Sequence, residues 1–109
     1  MNAGPEARIE RNLKILEQTP SNHLARFALG NAYTDAGRLA EAEEQFRLCL
    51  QSQPDWMAVA ISLGRCLVQR QAFDEARRVL AAARDMAVKQ GHSSPLEEIA
   101  ELEERCAGA

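Results

Sequence analysis

The chain has 109 residues, 46% of them hydrophobic, a net charge of −3 and only 5% aromatic residues, which suits one small domain burying about 60–70% of its unfolded surface. Alanine is abundant and β-branched residues are few, so the preference is for helix over sheet. No arginine stripe tracks phosphates, no run reaches the roughly 18–20 apolar residues that span a bilayer, and Glu6, Arg8, Glu10 and Arg11 interrupt any signal-peptide core, so a soluble, cytoplasmic protein with neither nucleic-acid nor membrane partner is expected.

The first predicted element is a helix over 5–19. In "PEARIERNLKILEQTP" Ile9, Leu13 and Leu16 share one face and Pro5 stands at the start. Helices over 22–36 and 39–53 follow, parted by Gly37, which can take the left-handed conformation that ends a helix. Pro54 stops the second of them, and Asp55 offers an N-cap for a helix over 56–70. The turn at Arg70 and Gln71, before a helix over 73–89, has no glycine to mark it. In the last element, "SPLEEIAELEERC", Ser94 and Glu97 have capping-box spacing and Pro95 takes the first helical position. Leu96, Ile99, Leu102 and Cys106 form its apolar stripe. Glu97, Glu98, Glu101 and Glu104 face water on the other side, as the end of a stack requires.

Laying residues 23–56 over 57–90 without a gap matches Leu29 with Leu63, Gly30 with Gly64, Glu41 with Glu75 and Ala42 with Ala76. Tyr33 pairs with Leu67, Phe46 with Leu80 and Cys49 with Ala83, and Pro20 precedes Pro54 by the same thirty-four residues. A fixed period of this length marks an array of helix hairpins. A glycine inside a helix costs roughly 1 kcal/mol against alanine. Gly30 and Gly64 are explained if each, facing Ala42 or Ala76 of the partner helix, lets two backbones approach closely.

These residues resemble the tetratricopeptide repeat family. Leu29, Gly30, Tyr33, Ala42, Phe46, Cys49 and Pro54 carry the likeness in the first unit, and Leu63, Gly64, Leu67, Ala76, Leu80 and Ala83 in the second. The family's first-helix tryptophan is missing from both units, where Arg26 and Ala60 stand, and Val88 replaces the second closing proline. The resemblance implies an all-α superhelix of about six helices in one domain, 1–109: an N-terminal helix at 5–19, repeats at 23–56 and 57–90, and a capping helix at 94–106.

It also implies a concave face lined by Leu24, Phe27, Ala28, Asn31, Thr34 and Asp35, and in the next unit by Ala58, Ile61, Ser62, Arg65, Val68 and Gln69. From these the expected partner-binding residues are Phe27, Ile61 and Val68 as apolar anchors, with Asn31, Thr34 and Arg65 as polar pins. Asn31 and Arg65, one repeat apart, could together hold a carboxylate. The family's clamp for C-terminal carboxylates does not carry over: its lysine slot holds Phe27 and its second asparagine slot holds Ser62.

Chemistry is not expected. Neither His23 nor His92 is placed beside a cysteine such as Cys66 by helical spacing, and both read as surface residues, while the acidic pairs Glu43–Glu44 and Asp74–Glu75 read as solvated. Cys49, Cys66 and Cys106 are odd in number with no Cys-x-x-Cys pair, the first two serving as small core residues and Cys106 lying open to solvent. No catalytic residue, metal site or cofactor is therefore assigned. The leading expectation is a non-catalytic adaptor binding a peptide or partner helix. The alternative is a structural, self-associating module, because two repeats are fewer than the three or so such stacks need.

Overall fold

The computed structural model describes residues 4–108; the outermost positions of the expected domain, 1–3 and 109, lie outside the described residues. Six helices run in chain order: α1 (Pro5–Gln18), α2 (His23–Asp35), α3 (Leu39–Ser52), α4 (Met57–Gln69), α5 (Phe73–Gln90) and α6 (Ser94–Ala107). No strand occurs among the described residues, and the chain is an all-α superhelical repeat. Each helix packs on the next, and α4 also touches α2 and α6. The repeat is kept to the residue: a shift of thirty-four carries α1 onto α3 and α2 onto α4, end for end. Helix α5 starts in that register but runs on to Gln90, because Val88 lacks the ring that stops its predecessors.

The core runs through the hairpins as Leu29, Phe46, Val59, Leu63, Leu67, Leu80 and Ile99, each almost wholly enclosed. The two interior glycines are notches, though not for alanines. A Cβ on Gly30 would stand 2.5 Å from Phe46 Cε1, and one on Gly64 would stand 2.6 Å from Leu80 Cδ2. Helical side chains lean toward the N-terminus, so a residue covers the turn before its own Cα. Phe46 and Leu80, one turn beyond Ala42 and Ala76, therefore fill the gaps that the alanines were expected to face.

Helix ends differ from expectation where packing competes with capping. The N-cap of α4 is Trp56 rather than Asp55, with no side-chain bond. One repeat earlier, Asn22 caps α2 properly, its side-chain oxygen accepting from Ala25 N at 3.0 Å. The tryptophan gives up that bond and packs edge-on against Phe27, ring centres 5.3 Å apart. The Ser94–Glu97 box does not form, since α6 begins at Ser94 and Ser93 is its helical-backbone N-cap, leaving Pro95 second. Gly37 ends α2 at φ +77°, and Gln71 ends α4 in the same left-handed region at φ +65°. Both turns close alike, Arg38 N bonding Tyr33 O at 2.8 Å and Ala72 N bonding Leu67 O at 2.9 Å.

In α1 the buried stripe is Ile9, Asn12 and, partly, Leu16. Leu13, expected among them, is 43% exposed. Positions 9, 12 and 16 span the 3.6-residue face that meets α2, and Leu13 falls on its flank. Cys106 is fully buried rather than open, because α6 lies back across α4 and α5 and carries it inward.

Candidate functional site

Helices α2, α4 and α6 stand side by side and leave an open groove of about 410 Å³. Its apolar lining is Phe27, Met57, Ala58, Ile61 and Pro95; its polar lining is Ser62, Arg65, Ser94 and Glu98. The small side chains of Ala58 and Ser62, on successive turns of α4, keep the floor low. Phe27 is held in place by two edge-on aromatic contacts, to Trp56 and to Phe46 at 6.1 Å.

Three of the six residues expected at the binding face, Phe27, Ile61 and Arg65, meet in this groove. Ile61 is only 6% exposed and offers an edge rather than a face. Val68 lies two turns further along α4 and borders a separate cleft with Phe73 and Arg105. The Thr34 hydroxyl donates to Gly30 O at 2.9 Å, so it is engaged by its own helix. Asn31 is half-buried and does not line the groove. Arg65 is not free to join it: its Nη2 donates to Glu98 Oε2 at 2.6 Å, and a carboxylate from α6 thus occupies the place imagined for a ligand's. Sequence reasoning placed Glu98 in water and missed its role, since the turn of α6 toward α4 is set by packing alone.

Neither a family model nor a curated protein matches this sequence. Solved structures do match in shape. Against "TPR2B-domain:pHsp70-complex of yeast Sti1" the TM-score is 0.85 at 15% identity, covering 92% of this chain and 80% of that one. Against "TPR2AB-domain:pHSP90-complex of yeast Sti1" it is 0.84 at 15% identity, covering 91% of this chain and 38% of the other. This chain has the tetratricopeptide-repeat fold.

At the thirty-four-residue shift the hairpin α2–α3 lies on α4–α5, and α1 lies on α3, the second helix of a hairpin. Arginine–glutamate ion pairs tie the hairpins together. Glu43, expected in solvent, keeps only 12% of its side chain exposed; it accepts from Arg47 at 2.9 Å and from Arg70 Nε at 2.7 Å. Arg47 also reaches Glu75 in the next repeat. Burial disfavours the Arg47 cation, but its bonds to Glu43 and Glu75 outweigh this and raise its pKa. Cys66 is fully buried, with its thiol 3.3 Å from Leu39 O, and burial pushes its pKa up, as it does for Cys49. His23 takes part in no pairing with Cys66; its Nδ1 is buried without a partner. No helix among the described residues is long and apolar enough to cross a membrane.

Proposed function

We infer that this chain is a non-catalytic protein-interaction module whose α2–α4–α6 groove receives an extended peptide or a partner helix. The observation that carries the reading is the groove itself, apolar on three helices and open to solvent. Both matched structures are complexes of such domains with Hsp70 or Hsp90 partners, which supports binding as the use of the fold and leaves this chain's own partner to its chemistry. Phe27 and Ile61 give the apolar contact, and Arg65 a polar one conditioned by Glu98. With that arginine already neutralised, the preferred occupant is an apolar segment rather than an acidic one.

The test uses the single tryptophan. Trp56 abuts Phe27, so peptides selected on the immobilised chain from a random phage library should shift its emission as they bind. Ala58 is exposed on the groove floor, and Ala58→Glu should weaken the selected peptides tenfold or more without altering the thermal melt. Arg78→Glu, on an exposed residue of α5, should leave them unaffected. Equal affinity for wild type and Ala58→Glu, or failure to select any peptide, overturns the reading.

A further inference from the structure

We propose that copies of this chain join head to tail, the open face of α1 in one copy receiving the outer face of α6 in the next. The contact uses surfaces other than the groove and stands without it. Cys49 and Ala83, equivalent to one another in α3 and α5, are fully buried, the Cys49 thiol lying 3.8 Å from His23 O of the preceding helix. The matching residue of α1, Ile15, is 37% exposed. Around it lies an open cleft of about 360 Å³ lined by Ala7, Glu10, Arg11, Lys14 and Ile15. Arg8 is tied to Asp35 at 2.6 Å, whereas Arg11 and Lys14 form no ion pair among the described residues.

The complementary surface is α6. Glu97, Glu101 and Glu104 recur at i, i+4 and i+7 with Ala100 between them, all exposed and opposite the buried stripe. Glu98 and Glu103 are engaged by Arg65 and Arg84, while those three carboxylates have no ion-pair partner among the described residues. Arg11 and Lys14, unpaired beside Ile15 and outnumbering the one carboxylate of the cleft, Glu10, thus meet three unpaired carboxylates beside an alanine.

The order of helices fits as well. Placing α6 before α1 of the next copy repeats the first-then-second order of α2–α3 and α4–α5 and continues the stack. The steric details agree. Where Phe46 and Leu80 form knobs, α1 has Asn12, which is buried and folded onto its own helix, donating to Arg8 O at 2.8 Å. A helix facing α1 therefore needs no notch, and α6 has no glycine between Ser94 and Ala107. Such a contact is heterologous, so it propagates unless it closes into a ring.

Sedimentation velocity on the full chain tests this, from micromolar to millimolar protein at low salt and again at ~1 M salt, where the Debye length falls to about 3 Å. The expected result is a mean mass that rises past twice the monomer at low salt and returns to the monomer at high salt. Arg11→Glu with Lys14→Glu should abolish the rise, and so should Glu97→Lys with Glu101→Lys. Mixing the two reversed variants should restore it, because each then offers the other a complementary face. A plateau at a closed ring larger than a dimer, lost in both variants, also supports the contact. Lys14→Glu alone, the mildest change, should weaken assembly several-fold with an unchanged melt. A strict monomer at millimolar concentration overturns the proposal. So does a dimer indifferent to the α6 substitutions, which would be two α1 faces paired with each other. Ala58→Glu in the groove should leave assembly intact.

Discussion

A single methyl at Gly30 would be felt through the first hairpin. The added Cβ would sit 2.5 Å from one carbon of the Phe46 ring and 2.8 Å from another. The ring is fully enclosed, so it cannot swing aside without moving its neighbours. Overpacking costs about 1–3 kcal/mol, against which the helix gains about 1 kcal/mol from replacing glycine. Gly30→Ala is therefore expected to destabilise by up to about 2 kcal/mol in urea unfolding. Gly64→Ala should be closer to neutral, because the atom it meets first is the terminal methyl of Leu80, a flexible side chain. Phe46→Leu placed on top of Gly30→Ala should recover part of the loss. If the two alanine variants unfold at the same urea concentration, the ring is not what Gly30 accommodates.

At the scale of elements, the two hairpins share their turn geometry while differing in the residue that bears it. Gly37 takes its left-handed φ at no steric cost, whereas Gln71 holds φ +65° against a penalty of about 1–2 kcal/mol for a side chain there. The Ala72–Leu67 bond and the burial of Leu67 and Val68 on one side and Ala76 on the other fix the turn regardless. Gln71→Gly should raise stability by about 0.5 kcal/mol, the relieved strain being partly offset by the greater freedom of glycine in the unfolded chain. A lower urea midpoint for this variant would show that the glutamine side chain contributes something the left-handed backbone alone does not. The same logic separates the two N-caps: Asn22 serves its helix with a hydrogen bond, and Trp56 serves the hairpin by filling space beside Phe27.

Taken whole, the molecule is a stack in which the sixth helix closes over the second repeat. Arg65 to Glu98, Arg77 to Cys106 O and Arg84 to Glu103 tie α6 to α4 and α5, and Cys106 is sealed beneath it. All three thiols are consequently inaccessible, and burial further holds Cys49 and Cys66 in the unreactive protonated form. Ellman's reagent at pH 8 should label none of the three in the native state within minutes and all three in denaturant. Rapid native labelling of one thiol, mapped to Cys106, would mean that α6 opens on that timescale.

What the sequence by itself determined was the period and the helices that follow it. The thirty-four-residue spacing of Leu29–Gly30 and Leu63–Gly64, the left-handed turn at Gly37 and the apolar stripes set the helices and their order, because periodicity and backbone preference act locally and are written in neighbouring residues. Only the tertiary structure decided what each notch holds, that Leu13 faces outward while Cys106 does not, and that Glu98 reaches Arg65 across the groove. Those outcomes depend on how far each helix is rotated about its own axis when it meets the others. That angle is chosen by the packing of the whole stack, not by any one stretch of chain.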